Sequence, residues 1–101
     1  MSAINIDRNN FQSEVIGSEK PVLLDFWAPW CGPCRAVVPI VEEIARERSD
    51  IKVCKVNVDE QSELARQFRV MSIPTLVVMK GGAVVRREMG ARSKEEILSM
   101  I

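Results

Sequence analysis

Two cysteines, Cys31 and Cys34, stand two residues apart in Trp30-Cys31-Gly32-Pro33-Cys34. Thiols at this spacing can close a reversible disulfide or supply half of a tetrahedral metal site. Their setting separates the two. An apolar run, Pro21-Val22-Leu23-Leu24-Asp25-Phe26-Trp27-Ala28, leads into them, and helical periodicity follows from Arg35 to Arg48. A Cys-x-x-Cys at a strand-to-helix junction of an α/β chain reads as a dithiol redox centre. Structural zinc normally takes four Cys or His ligands. This chain has no histidine and only Cys54 besides the pair, so a metal would need carboxylates or a second chain. The redox reading is preferred.

The placement has a physical logic. Residues three apart on a helix have Cβ atoms about 5–6 Å apart, and a disulfide wants them at about 3.5–4.5 Å. A bond between Cys31, at the start of the first turn, and Cys34, inside it, can therefore open and close readily. The unpaired N–H groups and partial positive charge of the helix N-terminus lie beside Cys31 and favour its thiolate, the nucleophilic form. Pro33 suits an early helix position, where its missing N–H costs nothing.

Asp25 is the next residue of chemical interest. A carboxylate within a strand apolar on both faces is costly to bury, and burial raises its pKa. The alternative is an exposed acid at a strand irregularity. Asp25 shares a strand face with Leu23 and Trp27, of which Trp27 reads as a core anchor. Lys55, on its own, reads as a solvated strand residue. Cys54 shares its side of the pleat with Val56 and Val58 and reads as a small buried hydrophobe, with a regulatory thiol as the alternative. Pro74 opens an apolar strand, at the cost of one ladder hydrogen bond.

The elements that must hold these groups follow from periodicity. Ala3–Ile6 is a short strand. Asp7 can cap a helix carrying Phe11, Val15 and Ile16, which Gly17 and Ser18 end. Val22–Ala28 is a central strand covered on both sides. The helix after Cys34 turns Val37, Val38, Ile40, Val41, Ile44 and Ala45 to a core, kinks at Pro39, and pairs Glu42 with Arg46 on its outer face. Ile51–Val58 is a strand. Asp59 can cap a helix whose Leu64, Ala65 and Phe68 share a face. Thr75–Met79, the hairpin signal Gly81-Gly82 and Ala83–Met89 come next. Ser93-Lys94-Glu95-Glu96 is a capping box opening a helix that buries Ile97, Leu98 and Ile101. Helical crossovers make the early strands parallel and the glycine hairpin makes the last pair antiparallel. Arg86-Arg87 on the presumed edge strand reads as protection against edge pairing.

Length and composition bound the answer. The 101 residues suit one domain over 1–101, and 47% hydrophobic with 28% charged residues is ordinary for a soluble globular protein. Lys plus Arg equals Asp plus Glu at 14 each, so no overall field recommends nucleic acid or an anionic membrane. The sequence at Met1–Asp7 has neither a basic region nor an apolar core, so no signal peptide is expected. No apolar run approaches the roughly 18 residues of a membrane span. Three cysteines are too few for a disulfide scaffold. The expectation is a cytoplasmic monomer in a reducing environment.

Trp27-Ala28-Pro29-Trp30-Cys31-Gly32-Pro33-Cys34, with Asp25, Lys55, Ile73-Pro74-Thr75, Gly82 and Gly90, resembles the thioredoxin family over nearly the whole chain. The resemblance implies an α/β thioredoxin fold: a five-stranded mixed sheet of order 1-3-2-4-5 flanked by four helices. It implies a protein disulfide reductase and electron donor that serves electron transport and cell redox homeostasis. Cys31 would be the nucleophile and Cys34 the resolving thiol of a reversible disulfide, tuned by Gly32 and Pro33, with no bound cofactor or metal. Asp25 would lie beneath Cys34 and exchange protons with it, with Lys55 near this acid. The Ile73–Pro74 bond would be cis, and Trp30, Gly32, Ile73, Pro74, Gly90 and Ala91 would form a rim where an extended substrate adds backbone hydrogen bonds. Partners would be disulfide-containing proteins and a thioredoxin reductase. Met71 and Ser72 depart from the family pattern and leave substrate preference open. Two rival functions remain: an oxidase or isomerase, which the Gly-Pro pair argues against, and a binding subunit or chaperone-like module without redox turnover.

Overall fold

The computed structural model describes residues 2–101. In chain order the elements are β1 (Ile4–Asn5), a π-type helical segment (Gln12–Ile16), β2 (Val22–Trp27), α1 (Gly32–Glu47), β3 (Lys52–Asn57), α2 (Ser62–Gln67), β4 (Thr75–Lys80), β5 (Ala83–Met89) and α3 (Lys94–Ser99). They build one sheet of order β1-β3-β2-β4-β5. β3 runs parallel to β1 and β2, while β4 is antiparallel to both β2 and β5. This is the expected mixed α/β topology.

β2 lies at the centre because its side chains are apolar on both faces, and each face has its own core. Leu23, Val53, Leu76 and Val78 meet Val37, Val41 and Ile44 of α1 and Ile97 of α3 on one side. Val22, Leu24, Phe26, Cys54, Val56, Val77 and Met79 meet Val15, Leu64 and the rings of Phe11 and Phe68 on the other. Strand alternation puts Asp25 on the α1 side with Leu23. α1 continues through Pro39 as far as Glu47. The hairpin turns at Gly81 and Gly82, whose φ values of 59° and 80° are those a two-residue turn of this kind demands.

Several local expectations are corrected. Asp7 does act as a cap, its Oδ1 accepting the N–H groups of Asn9 and Asn10 and its carbonyl that of Phe11, but the segment that follows is π-type over Gln12–Ile16 rather than a regular α-helix. Asp59 does not cap α2, which begins after Gln61 with no side-chain cap. It lies too far upstream to reach the first turn of that helix, and its carboxylate serves Trp30 instead. Glu42 does not pair with Arg46, because Lys55 and the Ala3 N–H claim it. The capping box of Ser93 and Glu96 is present. In and after α3, Ile97 and Met100 are buried while Leu98 and Ile101 are half-buried, the three-residue step of one helical face.

Arg87 is exposed on the edge strand β5, as expected, and has a second role there. Its guanidinium donates to the carbonyls of Phe68 and Arg69, tying β5 to the end of α2. That end is a Schellman motif: the Arg69 N–H donates to the Arg66 carbonyl and the Val70 N–H to that of Ala65. Arg69 occupies the left-handed position, with φ of 54°, which a side chain with a Cβ adopts at a cost. Arg69→Gly is therefore expected to stabilise the protein by about 0.5–1 kcal/mol. A rise in denaturant midpoint at unchanged m-value is the check, and a fall would mean that Arg69 makes a compensating contact.

Candidate active site

β2 ends at Trp27, the chain turns through Ala28-Pro29-Trp30, and Cys31 takes the N-cap position of α1. A sulfur thus stands where a capping oxygen normally does. The Cys34 N–H donates to Cys31 Sγ at 3.2 Å, and the Cys31 N–H donates to the Ala28 carbonyl at 3.2 Å. The first places a backbone donor and the positive end of a 16-residue helix on this sulfur. Cys31 and Cys34 are joined as a disulfide with Cα atoms 5.3 Å apart. Pro33 lies in the first turn, as expected.

The two sulfurs have different surroundings. Cys31 Sγ is 3.8 Å from the Ile73 carbonyl oxygen, beside the cis Ile73–Pro74 bond. Next to it a groove of about 360 Å³ is lined by Trp30, Val58, Ala65, Val70, Met71, Ser72 and Ile73. Cys34 follows the helical spacing of Val37 and Val41 and faces the sheet, where it is fully buried.

Trp30 is 66% exposed and held by a 2.8 Å hydrogen bond from its Nε1 to Asp59 Oδ2. Met71, 89% exposed, is the most open apolar side chain beside it. Gly90 reaches the site by donating its N–H to the Pro74 carbonyl at 2.8 Å, and Thr75 Oγ1 donates to the Ser72 carbonyl at 2.6 Å. Ala91 is exposed and is not among the groove residues. The groove therefore extends toward α2. Val58 and Ala65 read from periodicity as apolar positions of a strand and of a helix face, and Val70 carried no signal of its own, which is why they were not legible as site residues.

Asp25 is fully buried, and neither carboxylate oxygen has a hydrogen-bond partner in the protein. Burial pushes its pKa up to about 7, against the opposing pull of Lys55. The exposed-acid alternative is thereby set aside. Lys55 is Asp25's register neighbour on β3. Contrary to expectation it is not solvated: its side chain is only 14% exposed, its Nζ is 3.0 Å from Glu42 Oε2 and it lies 5.5 Å over the Trp27 ring. Trp27 is half-buried. Cys54 is fully buried, and burial, aided by Glu14 and opposed by Lys52, pushes its thiol up to about 12. It is inert.

Among the described residues no cluster of His, Cys, Asp and Glu could hold a metal ion, and no helix is long and apolar enough to cross a membrane. An N-capping cysteine joined by a disulfide to a second one in the first helical turn, on this sheet topology, defines a protein-disulfide oxidoreductase. The thioredoxin family model matches residues 2–101. The chain is 49% identical over 98 residues to a Mycobacterium tuberculosis thioredoxin, covering 96% of this chain and 84% of that one. It is 50% identical over 94 residues to thioredoxin 1 of a Nostoc species, covering 92% and 88%. It is also 48% identical over 96 residues to a Mycobacterium leprae bifunctional thioredoxin reductase/thioredoxin, covering 94% of this chain and 21% of that protein. The chain belongs to the thioredoxin family. It is a protein disulfide reductase that works by dithiol–disulfide exchange at Cys31-Gly32-Pro33-Cys34.

Proposed function

We propose that Cys31 is the attacking sulfur and Cys34 the resolving one. The observation that carries this is the Cys34 N–H directed at Cys31 Sγ at the start of α1, a donor suited to a thiolate. The Cys31 thiolate attacks one sulfur of a substrate disulfide, forming a mixed disulfide and expelling the other sulfur as a thiolate that takes a proton from water. Cys34 then passes its proton to Asp25 and attacks Cys31 Sγ. The mixed disulfide breaks, the second substrate sulfur leaves, and the Cys31–Cys34 disulfide closes. Two electrons have passed to the substrate.

Asp25 is suited to that proton by its burial on the sheet face that α1 covers, and Lys55 moderates its charge. Gly32 and Pro33 tune the redox centre. Trp30, Ile73, Pro74, Gly90 and Ala91 form the substrate rim, with the Ile73 carbonyl beside Cys31 available to an added strand of substrate backbone. Disulfide-containing proteins are the substrates, and a thioredoxin reductase restores the dithiol. The fusion named in the Mycobacterium leprae relative supports such a partner. The chain acts as a single cytoplasmic domain over residues 1–101, a monomer without bound cofactor, in electron transport and redox homeostasis.

The test is reduction of insulin disulfides by the dithiol form, beside partner capture by the Cys31→Ser/Cys34→Ser double variant. Turnover by the parent and none by the double variant supports the reductase. Equal effect of both forms on a partner's function would favour a binding subunit.

A further inference from the structure

Lys55 lies between two carboxylates and is bound by only one. Its register neighbour is Asp25, yet its ammonium is 3.0 Å from Glu42 Oε2 on α1. Glu42 is itself fixed, because its Oε1 accepts the Ala3 N–H at 2.7 Å. Burial pushes the Glu42 carboxyl up, but the Ala3 N–H, Lys55 and Arg46 together outweigh it and hold it below the ordinary range. Glu42 is therefore a charged, anchored clamp at neutral pH. Both oxygens of Asp25 remain without a partner.

The charged and titratable groups around this pair are few. β3 brings Lys55, and α1 brings Cys34, Glu42 and, beyond it, Arg46. β4 sets apolar Leu76 opposite Asp25, and β1 sets neutral Asn5 opposite Lys55. The cation of α3, Lys94, is engaged with Glu43 and Glu47 of α1. Lys55 is thus the cation positioned to settle Asp25's charge, and Glu42 is the group positioned to restrain it.

We propose that Glu42 is a positioning residue for the resolving step: its ion pair holds the Lys55 ammonium on α1 and keeps it from closing onto Asp25. A released Lys55 would pair with the Asp25 carboxylate, favour its charged form and make it a poorer acceptor of the Cys34 proton. With Lys55 restrained, burial dominates and Asp25 exchanges its proton near neutral pH. The catalytic consequence rests on the reading that Asp25 takes the Cys34 proton; the positioning does not.

The test is a carboxyl-carbon NMR titration of Asp25 in the oxidised protein, where Cys31 and Cys34 do not titrate. Glu42→Gln keeps an oxygen for the Ala3 N–H but releases Lys55, and should lower the Asp25 midpoint by about one unit. Glu42→Asp, which withdraws the carboxylate by one methylene, should lower it part of the way and serves if the first variant folds poorly. In a Lys55→Met background the same Glu42→Gln change should leave the midpoint where it was. No fall in the first variant would overturn the proposal. An equal fall in both backgrounds would also overturn it, since Glu42 would then act through its own field. The pH profile of mixed-disulfide decay should move down with the midpoint. A midpoint that moves while the decay profile stays fixed would refute Asp25's part in the reaction, and Glu42's with it, leaving only the Lys55 placement.

Discussion

Cys34→Ser is expected to accumulate a covalent adduct with substrate, one substrate sulfur per chain, while Cys31→Ser forms none and falls to background in insulin reduction. The two sulfurs are both nearly buried in the disulfide form, so exposure does not distinguish them. Position does. Cys31 caps α1, accepts the Cys34 N–H and borders the groove at Ile73, where a substrate disulfide can approach. Cys34 faces the sheet and, once Cys31 carries the substrate, has only the Cys31 sulfur within reach. Removing the resolving thiol therefore leaves the first exchange intact and stops the second. Removing the capping sulfur stops both, because a serine hydroxyl does not ionise at neutral pH and Cys34 lacks access. Cys54 will not confuse the result, being buried with its thiol pushed up to about 12. Mass spectrometry of the intact chain after exposure to excess substrate reads the adduct directly. Adducts with Cys31→Ser and none with Cys34→Ser would exchange the two roles.

The cysteine pair, the element order and the hairpin were legible because each depends on residues close in sequence. Cys31 and Cys34 share one helical turn, Gly81 and Gly82 make one turn, and Ser93 and Glu96 satisfy each other across three residues. The apolar runs of β2 and β4 show that both faces are covered, and the resemblance to thioredoxins supplied their order. The pairs that define the site's margins were not legible in this way. Trp30 with Asp59, Lys55 with Glu42, and Arg87 with the carbonyls after α2 join elements that only the fold brings together. Periodicity tells which face a charged side chain occupies, and near-sequence partners such as Arg46 for Glu42 or the start of α2 for Asp59 then look sufficient. In each case a long-range group offered better geometry. Asp25 was different: its cost was visible as one acid in an apolar strand, although its lack of any hydrogen-bond partner was not.

That lack leads to the largest expected change in stability. Asp25→Asn should make the folded protein more stable than the parent by about 4 kcal/mol at pH 7 and above. The sign follows from the direction of the shift. Burial raises the folded-state pKa from 3.8 to about 7, so between these values the folded chain holds a proton that the unfolded chain has released. Below the unfolded value both states are protonated and the carboxyl carries no electrostatic penalty. As pH rises through the window, stability is lost steadily, and above the folded value the loss levels off. An amide cannot ionise, so the variant's stability should stay flat over the same range while the parent's falls. The gain over the parent should therefore nearly vanish near pH 4. The same substitution should slow decay of the mixed disulfide, because Cys34 loses its local proton acceptor, and leave the first attack by Cys31 much less affected. Denaturant unfolding of both proteins from pH 4 to pH 8, with single-turnover kinetics that separate formation of the mixed disulfide from its decay, decides both halves. A parent whose stability does not fall across this window would mean that the carboxylate is solvated in the folded state. If decay were also unchanged in Asp25→Asn, the proton of Cys34 would have to leave by another route.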